Sequence, residues 1–345
     1  MALRISAVVP AQLSMSESLE AAKTFEGAGL HRVWITENLF TRGAFALAGA
    51  VAAQTSRIRI GIGTVSPYLR HPAILAMEAL TVQELSGGRF GLGLGPGALA
   101  RLASVGQDVR SPLGDTREAF ALLRSLLDGQ GPSSAEGRFT ARGVALEPPD
   151  TARHVTPLYA AASGPKMLRL AGAVADGLLL SLLAPRPLIA EAVEAARAGA
   201  AEAGRDPDAL EVIAYVPVSG SRSEPEAARA RACDFLAENV ARFVGNSTIE
   251  AMLQRSDKMS ADDMHRIAEA KRNGEPLGED VINDDLLREF VVAGDPEECA
   301  AAVAEWAALG ITEIALAHCG GAAEVPASAE IAGHLARVTG SEEPA

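Results

Sequence analysis

The turn Ser163-Gly164-Pro165-Lys166 opens a segment of helical period and is the clearest chemistry-bearing constellation in the chain. A Gly-Pro pair entering a helix leaves backbone N–H groups free at the helix N-terminus, where the dipole favours a phosphate or carboxylate. Lys166 and Arg169 add positive charge, so the expected chemistry is anion binding; an ordinary capped helix with a solvated Lys166 is the plainer alternative. Two glycine-bearing runs come next. IRIGIGT (58–64) leads into Val65, Ser66 and Pro67, and FGLGLG (90–95) ends at Gly95 with Gly97 two residues on. Glycines at alternate strand positions mark a close approach of backbone to another backbone or to a ligand. A third run, HRVWITENLF (31–40), ends in Thr36, Glu37 and Asn38. Glu37 is the candidate catalytic group, an acid placed to hydrogen-bond a ligand or tune a proton, and the alternative is a solvated loop acid.

Other chemistries lack their signatures. The histidines, His31, His71, His154, His265, His318 and His334, form no i,i+4 pair and no H-E-x-x-H, so no metal site is expected. His71, between Arg70 and Pro72, is read either as a ligand contact or as a contact at a helix N-terminus. No G-x-S-x-G elbow occurs. GLGLGPG lacks the G-x-G-x-x-G spacing of a dinucleotide fold, and no phosphate-binding G-x-x-x-x-G-K-[ST] is found. Cys233, Cys299 and Cys319 are widely spaced and odd in number, which predicts reduced thiols. The acid pairs Asp262–Asp263 and Asp284–Asp285 read as solvated helix faces.

The elements that would position these groups follow a regular beat. Apolar runs of strand character lie at 4–9, 32–36, 58–64, 90–95, 157–161, 177–182, 212–218 and 313–318, and amphipathic segments such as 15–28, 44–55, 73–86, 115–128, 187–203 and 296–309 separate them. Ser14-x-x-Glu17 marks the start of the first helix. Runs apolar on both faces between helices require a parallel sheet covered by helices, and eight such units predict a (β/α)8 barrel; a doubly wound open sheet is the alternative. The stretch 224–290 breaks the beat and is expected to be a helical insertion in a single barrel domain spanning 1–340, covering the substrate pocket; the tail 341–345 is expected to fray.

A net charge of −13 argues against nucleic acid or an anionic membrane as partner. The N-terminal apolar stretch is too short for a signal peptide and no run reaches membrane-spanning length, which gives a cytoplasmic expectation.

The order G-x-G-T-V-S-P-Y-L-R-H-P followed by LSGGRFGLGLGPG, with SGPKMLRLAGAVADG further on, resembles the F420-dependent methylenetetrahydromethanopterin reductases of the luciferase-like superfamily. SPLGDTREAFALLRSLLDG and LREFVVAGDPEECAAAVAEWAALGITEIALA extend the resemblance over nearly the whole chain. It implies a non-proline cis peptide at Gly63–Thr64, with Thr64–Val65 the next candidate, making a bulge that backs the coenzyme ring, and a phosphate contact at Ser163–Lys166. Asn38, Gly63, Thr64, Val65, Ser66, Gly95, Gly97, Ser163, Gly164, Pro165 and Lys166 are the implied cofactor-binding residues. Coenzyme F420 is the implied cofactor, with FMN and a monooxygenase or reductase reaction as the alternative, and a non-catalytic cofactor-binding barrel as a third reading. A small-molecule substrate, with a one-carbon unit on a tetrahydropterin as the family's example, and a homodimer are also implied. Three positions depart from the family pattern: Ala7 stands where it has a glutamate, Asn38 where it has a histidine, and Ala98 where it often has an acid.

Overall fold

Short strands that are apolar on both faces cannot rest against water, and here they close on one another inside a ring of helices. The computed structural model describes residues 3–129, 132–147, 154–275, 277 and 281–341. Most of the expected tail, 342–345, lies outside the described residues. The strands are β1 (Arg4–Val8), β2 (Arg32–Ile35), β3 (Arg59–Val65), β4 (Phe90–Leu94), β5 (Ser133–Ala135), β6 (Ala141–Val144), β7 (Leu158–Ala161), β8 (Gly177–Leu180), β9 (Glu211–Gly220), β10 (Val292–Gly294) and β11 (Glu313–His318). The helices are α1 (Met15–Gly27), α2 (Ala44–Gln54), α3 (Pro72–Leu85), α4 (Leu99–Ala103), α5 (Pro112–Leu127), α6 (Pro165–Val174), α7 (Arg186–Glu202), α8 (Pro225–Phe243), α9 (Ser247–Leu253), α10 (Ala261–Asn273), α11 (Asp284–Phe290), α12 (Pro296–Ala307) and α13 (Val325–Val338).

Eight parallel strands form the barrel in the order β1-β2-β3-β4-β7-β8-β9-β11, closed by the β11–β1 and β8–β9 pairings. This is the expected (β/α)8 architecture, and the open sheet is set aside. The two elements that break the pattern are the β5–β6 hairpin and β10, which extends the sheet beside β9. Capping fixes where the helices start. Ser14 and Glu17 form a reciprocal capping box on α1, as do Ser260 and Asp263 on α10 and Asp295 and Glu298 on α12. Asp263, expected on a solvated face, is thus a capping residue.

Side-chain alternation divides the barrel into an outer and an inner core. Ile5, Val33, Ile60, Ile62, Leu92, Leu158, Leu178, Val212 and Leu316 pack outward against the helices. Val8, Trp34, Tyr159, Leu179, Ile213 and Ala315 fill the lumen. Glycines on β3 and β4 make room for the large lumen side chains: a Cβ at Gly61 would overlap the Trp34 ring, and one at Gly91 would come within 2.8 Å of Tyr159. Ala7 belongs to the outer core, and the lumen positions of β1 on either side of it are Ser6 and Val8.

The strand N-termini meet in a buried ionic floor. Glu313 accepts from Trp34 Nε1 at 2.7 Å and lies 3.4 Å from Arg32, while Glu211 accepts from Arg4 at 2.9 Å and from Tyr159 Oη at 3.0 Å. Burial disfavours the charge on Glu211, yet Arg32 and Arg4 hold its carboxyl below the usual range. The floor closes one end of the barrel, leaving the C-terminal ends of the strands as the open mouth.

Helices α8 to α11 pack around a core of their own, built on Leu236, Val240, Leu253, Met264, Ile267 and Phe290. This core is continuous with Leu183, just past β8, and Ser181 Oγ contacts Met252 Sδ at 3.5 Å. The segment therefore stands at the mouth end of β8.

Candidate active site at the barrel mouth

The β3–β4 register shifts between Ile62 and Val65, so the end of β3 bulges before pairing resumes with Gly95 N–H donating to Val65 O at 3.1 Å. The Gly63–Thr64 peptide is cis, at the first of the two expected positions. Gly63 and Thr64 are half-buried and open to the mouth, whereas the side chains of Val65 and Ser66 turn inward and are buried. A Cβ at Gly95 would sit 3.1 Å from Thr64 Oγ1 and 3.2 Å from Ala161 Cβ. Glycine there keeps the ends of β3, β4 and β7 together as one shelf of backbone and small side chains.

The loop that follows the bulge is pinned from four directions. Ser66 Oγ donates to Pro96 O at 3.0 Å, and Tyr68 Oη donates to Asp115 at 2.8 Å. Burial and the Asp115 carboxylate push the Tyr68 phenol up, so it is a donor throughout the working range. Arg70 makes two 2.8 Å hydrogen bonds to Glu37, and Phe139 of the hairpin packs on Tyr68 and His71. His71 proves to be the N-cap of α3, its Nδ1 accepting from Ala73 N–H at 3.2 Å. Gly97, at φ 83°, turns the chain after β4 with its α-carbon facing Ser66.

Glu37 is placed differently from a free acid. Both of its oxygens face Arg70, and Oε1 also accepts from Ala44 N–H at the start of α2. The hydrogen bonds to Glu37 raise the Arg70 pKa, and the pair ties the loops after β2 and β3 together. Asn38 is exposed beside it and lines a small cavity with Thr36, Thr41, Arg42 and Gly43. Arg101 of α4 reaches back to Leu39 O at 2.9 Å, drawing the loop after β2 across the end of β3.

The third constellation adjoins the shelf. Ser163 follows Ala161 by two residues, and Gly164, at φ 78°, is the N-cap of α6 with Pro165 in its first turn. No side chain caps this helix, and Ser163, Gly164, Pro165 and Lys166 are all exposed. Lys166 has no ionic partner among the described residues. Arg169, counted with it in sequence, pairs instead with Glu202 of α7 and is not aimed at the turn. Asp176 is structural as well, accepting from Leu158 N–H and Arg124. The shelf, the loop after β2 and the turn at Ser163–Lys166 thus lie on neighbouring strand ends of one mouth.

The model of the luciferase-like monooxygenase family matches residues 3–313. The chain belongs to this family. Among curated members it is 33% identical over 298 residues to the 5,10-methylenetetrahydromethanopterin reductase of Methanolobus tindarius, covering 85% of this chain and 87% of that one. It is 34% identical over 219 residues to the F420-dependent glucose-6-phosphate dehydrogenase of Beutenbergia cavernae, covering 59% of this chain and 63% of the relative. Among solved luciferase-like structures, the coenzyme F420 dependent tetrahydromethanopterin reductase from Methanopyrus kandleri superposes with a TM-score of 0.80 at 25% identity, over 96% of this chain and 98% of that one.

Arg70, Tyr68, Asp115 and Tyr215 carry much of the mouth's geometry and are not among the residues singled out from sequence. A signal existed for one of them. In VIAYVPV, alternation from Ile213 puts Tyr215 on the same face, into the lumen.

Proposed function

We propose that the chain is an oxidoreductase that binds coenzyme F420 across the barrel mouth and moves a hydride between it and an electrophilic carbon. The observation that carries this reading is the adjacency of two surfaces: a glycine-lined backbone shelf at Gly63, Thr64 and Gly95, and an uncapped helix N-terminus with an exposed Lys166 one strand away. A planar ring needs the first and a phosphate the second. The similarity to F420-dependent enzymes supports the choice among flat cofactors.

The coenzyme supplies the hydride chemistry when bound. The chain's own residues supply position. Gly63, Thr64, Val65 and Ser66 shape the shelf for the ring, and Gly95 and Gly97 leave it open. Ser163, Gly164, Pro165 and Lys166 present N–H groups and one cation to the phosphate. Asn38 reaches the ring edge from the loop after β2, and the Glu37–Arg70 pair fixes that loop. Helices α8 to α11 cover the substrate side of a single barrel domain. The proposed acceptor is a methylene carbon on a tetrahydropterin, as the names of the reductase relatives support.

Titration of the purified protein with F420 and, separately, FMN, followed by fluorescence, tests this reading. F420 is expected to bind, and Lys166→Ala to weaken it about tenfold, the cost of one charge-assisted hydrogen bond. Binding of FMN alone moves the assignment to the flavin-dependent branch of the family. Tight binding without turnover of any acceptor leaves a cofactor-binding protein.

Homodimer formation is also proposed, through the outer face of α2 and α3. Ile74, Met77 and Leu85 recur on one side of α3 and are 45, 50 and 50% exposed, beside the small residues Ala46, Gly49 and Ala53 of α2. Met77→Glu should convert the dimer to monomer in sedimentation; a wild-type monomer overturns the proposal.

A further inference from the structure

An aromatic column rises through the lumen. Tyr159 stands lowest, its hydroxyl turned down to Glu211, and meets Trp34 edge-on with centroids 5.2 Å apart. Tyr215 of β9 leans on Trp34 from above at 6.0 Å and 55°. Its hydroxyl ends under the bulge, 3.4 Å from Gly63 O, and occupies the space that a Cβ at Gly63 would need. Residue 63 is therefore glycine for a steric reason, since it must admit the phenol.

At 3.4 Å the contact with Gly63 O is longer than an ordinary O–H···O hydrogen bond, and Tyr215 Oη has no other partner among the described residues. The side chain is half-buried and reaches toward the mouth. Burial and the nearby Glu313 carboxylate push its pKa up, against the weaker pull of Arg32, so it remains a neutral donor at any working pH.

We infer that Tyr215 is a positioning residue for the cofactor ring: its phenol props the Gly63–Val65 segment from inside the lumen and sets the height of the shelf on which the ring lies. The inference rests on the proposed F420 reading and assigns a residue to it. Tyr159 provides an internal control. It is the same residue type in the same column, but its hydroxyl belongs to the floor and touches no part of the shelf.

The test uses the full chain and five proteins: wild type, Tyr215→Phe, Tyr159→Phe, Gly63→Ala, and Gly63→Ala combined with Tyr215→Phe. Binding is read by F420 fluorescence and by the absorption maximum of bound F420, and folding by circular dichroism. Tyr215→Phe is expected to weaken F420 binding about tenfold, near the upper end for one hydrogen bond, and to shift the bound spectrum. Tyr159→Phe should lower the unfolding midpoint and leave both binding readouts at wild-type values. Gly63→Ala should be better tolerated with Tyr215→Phe than alone, because the hydroxyl that the new methyl would overlap is gone.

Unchanged affinity and spectrum in Tyr215→Phe overturn the inference, and so do parallel losses in both tyrosine variants. Should Tyr215→Phe fold poorly, additivity of Gly63→Ala and Tyr215→Phe in unfolding free energy overturns it instead. Failure of wild type to bind F420 is a separate result, which removes the cofactor reading and this inference with it.

Discussion

At the scale of single residues, the structure separates groups that look alike in sequence. His71 and His318 both end strand-to-helix runs, yet one caps a helix and the other is sealed in the outer core, stacked on Phe25 at 5.0 Å. Both ring nitrogens of His318 are buried without a hydrogen-bond partner among the described residues, and burial lowers its pKa to about 4. The unfolded chain takes up the proton near 6.5, well before the folded one does. Stability should therefore be fully present above that value and be lost as pH falls toward about 4, by up to about 3 kcal/mol from this group. Urea unfolding of wild type and His318→Phe across this range checks the prediction. Phenylalanine keeps the stack on Phe25 and cannot be protonated, so the difference between the two proteins should shrink from acid to neutral pH. Parallel profiles would mean that His318 takes up its proton equally readily in the folded and unfolded states.

At the scale of elements, the Glu37–Arg70 pair shows how two loops are made into one surface. Glu37→Gln keeps the shape and one acceptor for Ala44 N–H but removes the charge that Arg70 faces, leaving only Glu78 at 3.6 Å. The expected cost is about 1.5–3 kcal/mol, the range for hydrogen bonds to charged groups. Turnover should fall with the shape of its pH profile unchanged, because both Glu37 oxygens are engaged by Arg70 and Ala44 N–H in holding the loops. Loss of one limb of that profile would return Glu37 to an acid–base role. The same scale decides what the sequence could tell. The eight barrel strands were legible because β-branched and aliphatic runs alternate with amphipathic helices. The β5–β6 hairpin was not, being short and built from residues such as Ser133, Ser134 and Arg142, and neither was β10, which has only three residues. At the site, Gly63, Gly95 and the turn at Gly164 announced themselves through composition. Arg70 and Tyr215 did not, because their partners lie 33 and 152 residues away and only barrel closure brings them together.

At the scale of the whole molecule, the barrel separates stability from chemistry along its axis. The floor draws Arg4 from β1, Arg32 from β2, Glu211 from β9 and Glu313 from β11, each at or near the first residue of its strand, where sequence reading finds only a boundary. Two carboxylates and two guanidiniums taken out of water together are balanced only while all are present, and Arg32 also stacks on Trp34 and Tyr159 at about 5 Å. Glu313→Gln leaves Arg32 facing Glu211 alone at 3.6 Å. Breaking a buried pair in this way costs about 3–5 kcal/mol, far more than removing an exposed one. The shelf at Gly63 and the turn at Gly164 lie at the opposite end of the strands, so affinity for F420 at a temperature where the variant is folded should stay at the wild-type value. Chemical unfolding and cofactor titration on the same preparation measure the two quantities side by side. A large loss of stability with intact binding would show that floor and mouth are energetically independent. Coupled losses would mean instead that the aromatic column transmits the state of the floor to the shelf, through Trp34, which touches both Glu313 and Tyr215.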